Sequence, residues 1–204
     1  MMQIPLDPNT VKGFLDAEEG ARLYEIAQLA APLGACLEVG SYCGKSTLYL
    51  GAGVQAVGGQ LFALDHHRGS EEHQLGEEYH DPDLYDAELE RMDSLPSFRR
   101  MLALAKLEDT VVPLIASSKQ AGKYWRTPLS LVFIDGGHSL EAAMTDYDTW
   151  VPHICSGGWL AIHDIFPNPA DGGRAPFEIY QRAQDSGLFE VQPMTKTLGV
   201  LRRL

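Results

Sequence analysis

Short apolar runs alternate along this chain with longer amphipathic segments, and the alternation predicts strands separated by helices. A helix is predicted from about Asp16 to Ala31, followed by a buried strand Cys36-Leu37-Glu38-Val39-Gly40 that stops at glycine. Lys45 to Gln55 reads as a helix, and Gln60 to Asp65 as a second strand entered through the turn residues Gly58-Gly59. Leu95, Phe98, Leu102 and Ala105 carry helical spacing within Ser94 to Lys106. Val111 to Ala116 and Leu129 to Asp135 are strands three and four. A helix from Ser139 to His153 leads through Gly157-Gly158 into strand five, Trp159 to Asp164. Pro176 to Ser186 is helical, and Phe189 to Gln192 with Leu198 to Arg202 form a closing pair of strands.

Strands alternating with helices imply crossover connections, hence a mostly parallel sheet covered on both faces. The fold class expected is α/β: a Rossmann-like, doubly wound, seven-stranded sheet with an antiparallel C-terminal strand, in one domain spanning residues 1–204. Such sheets bind ligands beyond the carboxyl ends of their strands, near the point where strand order reverses. Those ends are Glu38-Val39-Gly40, Asp65-His66, Ser117-Ser118, Asp135 to His138, and His163-Asp164. All are polar. One polar strand end means only that a strand has reached solvent; five in succession point to a site.

Composition narrows the partners. With 204 residues, 45% hydrophobic and 22% charged, the chain can bury a substantial core. No apolar run approaches the roughly 18 residues of a membrane span, and Met1 to Phe14 has no secretory signal pattern. A soluble, cytoplasmic protein is expected, with no membrane partner. Lys+Arg 16 against Asp+Glu 28 gives −12, the wrong sign for a nucleic-acid partner. Much of the excess is local: Glu71, Glu72, Glu77, Glu78, Asp81, Asp83, Asp86, Glu88, Glu90 and Asp93 face only Arg91. Residues 66–93 are too long for a routine connection and are expected to form an acidic lid or a dimerisation arm of a homodimer; the bland alternative is a solvated loop. His66, His67, His73 and His80 in or beside it lack a compact zinc-ligand spacing. Cys36, Cys43 and Cys155 have no paired spacing and read as reduced packing residues.

The most informative segment is Glu38-Val39-Gly40-Ser41-Tyr42-Cys43-Gly44-Lys45-Ser46-Thr47, which joins strand one to a helix. Glycine lets backbone turn tightly and approach a ligand, and a helix N-terminus offers free N–H groups. As a phosphate loop it supplies Gly44-Lys45-Ser46, with Asp135 as a magnesium-binding aspartate. That motif needs four residues between its glycines, and Gly40 to Gly44 leaves three. A P-loop-like nucleotide hydrolase is therefore the alternative reading, and a catalytically silent cofactor-binding module a third.

The E-x-G-x-x-x-G pattern, the acid Asp65 closing strand two, and Asp135 and Asp164 closing strands four and five resemble class I S-adenosylmethionine-dependent methyltransferases. The likeness covers almost the whole chain. Phe133-Ile134-Asp135-Gly136-Gly137-His138-Ser139 and Gly157-Gly158-Trp159-Leu160-Ala161-Ile162-His163-Asp164 resemble small sugar O-methyltransferases related to macrocin methyltransferases. Tyr42 to Thr47 and Asp65 to Glu72 are similar to enzymes that methylate methylmannose polysaccharide precursors. The resemblance implies an O-methyltransferase acting on a small hydroxylated acceptor, expected to be a sugar, with S-adenosylmethionine held by Glu38, Gly40, Ser41, Tyr42, Gly44, Ser46, Asp65, His66, Ser117, Ser118 and Asp135. Asp65 suits two ribose hydroxyls, a role that would equally suit a nicotinamide dinucleotide.

It also implies Mg²⁺ assistance through Asp135 and Asp164, two carboxylates that a hard cation would reconcile. The sequence departs from the sugar-methyltransferase pattern at two places. His163 stands where those enzymes have an acid, and could serve as ligand, base or buried histidine, although imidazole is a less natural magnesium partner than oxygen. Gly137 also replaces an acid, which leaves His138 and Asp135 as the catalytic candidates; His138 could equally do no more than precede the helix capped by Ser139. The loop Asn168 to Arg174 is a second candidate contact for the acceptor.

Overall fold

The structure, a computed structural model, describes residues 2–70, 81–137, 139–166, 168 and 172–204. Helix α1 (Ala17–Ala30) opens at a reciprocal cap, in which Asp16 accepts from the Glu18 and Glu19 backbone turn and Glu19 bonds back to the Asp16 N–H. Strand β1 (Ala35–Val39) and α2 (Lys45–Gln55) follow, then β2 (Leu61–Leu64). A small antiparallel ribbon, β3 (Tyr85–Asp86) with β4 (Arg91–Met92), precedes α3 (Leu95–Ala105) and β5 (Val111–Leu114). A short α4 (Ser118–Gly122) leads to β6 (Leu129–Ile134), α5 (Leu140–Trp150) and β7 (Ile154–Ile162). The chain closes with α6 (Ala175–Asp185), β8 (Phe189–Val191) and β9 (Gly199–Arg203).

Seven strands form one sheet in the order β5-β2-β1-β6-β7-β9-β8. Every pair from β5 to β7 is parallel, and β9 runs antiparallel to both β7 and β8. The expected doubly wound sheet with one antiparallel C-terminal strand is what the chain forms. Side-chain alternation feeds two cores. Cys36, Leu61, Leu131 and Phe133 pack with α1, α2 and α3, whereas Leu37, Val39, Val132 and Ile134 pack with α5 and α6.

One strand boundary differs from expectation. Strand β7 begins at Ile154, not Trp159, because Ile154 already pairs with Leu129 before the register jumps to Leu131 with Trp159. Gly157, at φ +79°, supplies the left-handed turn that absorbs the extra residues. The described ends of the acidic stretch are anchored: Leu84 and Met92 bury against Cys43, and Lys12 pairs with Asp81 and Asp83 at 2.6 and 2.8 Å. Residues 71–80, which include Glu71, Glu72, Glu77, Glu78, His73 and His80, lie outside the described residues.

Strand order reverses between β1 and β6, and there the chain leaves β1 through Gly40. Gly40 has φ +90°, and a Cβ on it would lie 2.0 Å from the Asp135 carbonyl oxygen. No side chain fits. Gly40→Ala should therefore cost about 2 to 4 kcal/mol in chemical denaturation, through both strain and overlap; a loss under about 0.5 kcal/mol would show that the crossing is looser than described.

Candidate active site

A cleft of about 530 Å³ opens over the carboxyl ends of the central strands. Of the residues singled out in the sequence, Gly40, Tyr42, Asp65, His66, Ser117, Ser118 and Asp135 line it. Asp65 organises its floor. One carboxylate oxygen accepts from the Ser41 and Tyr42 N–H groups at 3.0 and 2.8 Å, and the other from the His67 N–H at 2.6 Å. It thus ties the glycine loop to the end of β2. Ser117 caps α4 through a reciprocal bond pair with Gln120, and His66 is half-exposed at the mouth.

Glu38, Ser41, Gly44 and Ser46 are not among the residues that line the cleft. Glu38 is fully buried, and accepts from the Ser46 and Thr47 hydroxyls at 2.6 and 2.5 Å. Its place on the α2 side of β1 makes it a brace between strand and helix. The arrangement also bears on the phosphate-loop alternative. Ser46, which would have to face a nucleotide-bound magnesium, is buried against Glu38, and Lys45 Nζ donates to the Gly13 carbonyl at 3.3 Å.

At the opposite corner the ends of β6 and β7 bring Asp135, His163 and Asp164 together. His163 is buried; its Nδ1 lies 3.0 Å from Asp135 and 3.5 Å from Asp164, and its Nε2 3.0 Å from Glu19. Asp164 adopts φ +56°, a left-handed turn at the strand's end. Burial alone would push the imidazole down, but Asp135, Glu19 and Asp164 outweigh it and raise it to about 11. Glu19 shows the converse: burial would raise it, yet His163 and Thr197 hold it at about 2.

One ligand atom each from Asp135, His163 and Asp164 fall within 4.8 Å of one another, so the donor set fits a divalent cation. A His163 ligand would use Nδ1 and keep its Nε2–H on Glu19, the usual outer-carboxylate arrangement. The corner needs positive charge, and His163 or an ion can supply it. His138 lies outside the described residues.

Two participants escaped the sequence reading. Glu19 is explained locally as a helix-capping residue, and only the tertiary structure aims it at His163. Asp146 lines the cleft from α5, where Ala143, Asp146, Tyr147 and Trp150 form the buried stripe. An acid inside an apolar helical stripe was the available signal.

A cofactor-sized cleft at the reversal of strand order, a glycine crossing beneath it, and acids closing β2, β6 and β7 define the class I S-adenosylmethionine-dependent methyltransferase fold. The family profile described as a methyltransferase domain matches residues 37–165. The chain belongs to that methyltransferase family. Among solved structures it is similar to the O-methyltransferase NovP, at 17% identity, covering 91% of this chain and 79% of that one, with TM-score 0.67. Cofactor-bound Rv0187 from MTB is similar at 16% identity, 96% and 85% coverage and TM-score 0.64. An O-methyltransferase from Bacillus cereus, in complex with S-adenosylhomocysteine (SAH), gives 15% identity, 95% and 84% coverage and TM-score 0.60. Among the described residues no helix is long and apolar enough to cross a membrane.

Burial of Glu38 pushes its carboxyl up to about 7, against the help of the Ser46 and Thr47 hydroxyls. The folded protein therefore holds a proton that the unfolded chain releases above its ordinary value near 4.5. This contribution is fully present below that value and is lost as pH rises through about 7. Unfolding free energies of the wild type and Glu38→Gln should thus diverge between about pH 5 and pH 8, with the wild type losing about 2 to 3 kcal/mol relative to the variant. A difference that stays constant with pH would contradict this account.

Proposed function

We propose that the protein transfers the methyl group of S-adenosylmethionine to a hydroxyl of a small acceptor, with a sugar as the favoured class. The observation that carries this reading is the cleft's course from Asp65, across the Gly40 crossing, to Asp135. An extended nucleoside with a charged amino-acid tail suits such a path. Each Asp65 oxygen retains acceptor capacity beyond its backbone partners, and ribose hydroxyls would use it. Ser117 and Ser118 would border the base, and Asp135, which lines the other end of the cleft, would stand beside the sulfonium, where its negative charge suits the positive sulfur.

Transfer is an in-line displacement: the acceptor oxygen forms a bond to the methyl carbon while the carbon–sulfur bond breaks toward sulfur. Holding oxygen and carbon about 3 to 3.5 Å apart removes several kcal/mol of barrier. The acceptor hydroxyl must also lose its proton, and His138 on the loop after β6 is proposed as the base. Asp135 and Asp164, with His163, are the proposed ligands of a Mg²⁺ ion, which when bound would lower the pKa of the acceptor hydroxyl. The acidic segment 66–93 is proposed as a lid over the acceptor or an arm between two copies. Sugar recognition is supported by the sequence likeness to sugar O-methyltransferases and by the number of acids and tyrosines in the sequence of that segment.

Titration calorimetry with SAH should show Asp65→Ala weakened at least about tenfold, because the variant loses both the ribose contacts and the tie to the glycine loop. Wild-type protein that binds ATP or GTP but not SAH would return the assignment to nucleotide hydrolysis. With methylated mannoses and other sugars as acceptors, Asp135→Ala and Asp164→Ala should lower turnover by about a hundredfold or more while leaving SAH affinity within about tenfold. Excess chelator should depress the wild type similarly. Full activity in chelator and in Asp164→Ala would remove the metal role, and cofactor binding without methyl transfer to any sugar, phenol or amine would favour a silent binding module.

A further inference from the structure

Phe14 is a large apolar side chain left 71% exposed beside the site. Single exposed apolar residues are ordinary on a protein surface, but this one is held in place. Its ring stacks on Tyr42, with centroids 6.4 Å apart and planes 26° from parallel. Tyr42 lines the cleft and Phe14 does not, so the pair extends the cleft wall by an aromatic surface at its rim. Tyr42 itself has φ +46°, a left-handed conformation fixed by the bond from its N–H to Asp65.

The backbone on both sides of Phe14 is fastened as well. Lys12 pairs with Asp81 and Asp83, the Gly13 carbonyl accepts from Lys45 Nζ at 3.3 Å, and Leu15 is buried in the core. Two residues beyond Phe14, Asp16 caps α1, whose first turn places Glu19 on His163. The segment therefore links the base of the acidic stretch, the glycine loop and the Asp135–His163 corner. A ring held in this way loses little conformational freedom when a ligand covers it.

Two chemistries meet at this rim. Phe14 and Tyr42 offer aromatic surface, and Lys12 brings up Asp83, whose side chain is 80% exposed. The negative face of an aromatic ring suits the weakly positive C–H groups of a sugar ring, and carboxylates accept from its hydroxyls. A flat aromatic acceptor would use only the first. With the cofactor in the cleft, an acceptor must approach from the rim. We propose that Phe14 and Tyr42 form the acceptor platform, on which one face of a pyranose ring stacks while its hydroxyls turn toward the neighbouring carboxylates. This inference rests on the reading of the protein as a sugar O-methyltransferase and adds the residues that hold the sugar.

The test uses the full-length protein and the methylated mannose that it turns over fastest. Phe14→Ala should raise the acceptor KM by about five- to twentyfold, with kcat within about threefold and calorimetric SAH affinity within about twofold. Phe14→Trp keeps a flat ring and should hold KM within about threefold of the wild type. Phe14→Leu, apolar but not flat, should resemble Phe14→Ala. In SAH-saturated Phe14→Trp the same sugar should shift the indole emission, a change absent from the wild type and independent of turnover. Thermal melts within about 3 °C of the wild type, expected for an exposed side chain, establish that each variant is folded. A wild-type KM in Phe14→Ala, equal behaviour of Phe14→Leu and Phe14→Trp, or an unchanged emission would overturn the platform while leaving methyl transfer to sugars intact. A wild type that binds SAH but methylates no sugar would overturn the sugar reading and this inference together.

Discussion

The site depends on one steric constraint, the passage of the chain from β1 directly over the end of β6. At Gly40 the backbone comes so close to the Asp135 carbonyl that any side chain would overlap it. The crossing lies where strands diverge to opposite sides of the sheet, so a crevice is left that neither side's connections fill. Backbone hydrogen bonds keep it in place: the Gly40 N–H donates to Leu64 and the Asp135 N–H to Val39. Asp65 then fastens the following residues from the side. The loop is held from beneath as well, by Glu38 under the first turn of α2. A preorganised cradle of this kind does not have to be ordered when a ligand enters, and that saves binding free energy.

Charge is distributed unevenly about that cradle. On the β2 side Asp65 spends its carboxylate on backbone N–H groups. On the β6 and β7 side, Glu19, Asp135 and Asp164 surround His163, and the cluster draws together α1, two strand ends and the turn before β9 through Thr197. Buried like charges are tolerable only with a counter-charge among them, and the imidazole supplies one. An acid at residue 163, as in the sugar methyltransferases, would leave the corner wholly dependent on a bound cation. Histidine gives this chain a second means of balancing the same carboxylates. Asp146 is a third setting, an acid of α5 buried among apolar helix residues at the wall of the cleft.

Most of the architecture was legible in the sequence. Short continuous apolar runs, separated by amphipathic stripes of period three to four, are a direct imprint of what each segment must bury, and they located all seven strands of the sheet and the principal helices. Polar strand ends marked the rim of the cleft because a parallel sheet places those ends together whatever the details of packing. What the periodicity missed is also physical. The start of β7 at Ile154 depends on pairing with Leu129 across a register jump, and no local pattern records a partner more than twenty residues away. The ribbon Tyr85–Asp86 with Arg91–Met92 is too short to leave a period at all.

The particular roles of the acids belong to the tertiary structure. Sequence alone showed that Glu38, Asp65, Asp135 and Asp164 sit at strand ends, since their order and spacing are written in the chain. Whether a carboxylate faces the cleft or the helix behind it turns on a half-turn of β1, and packing sends Glu38 to Ser46 and Thr47. Glu19 and His163 are 144 positions apart and meet only because α1 packs beneath the end of β7. Hydrophobic patterning is a property of neighbours in the chain, so it can be read in one dimension. Electrostatic partnership is a property of neighbours in space, and it exists only after the chain has folded.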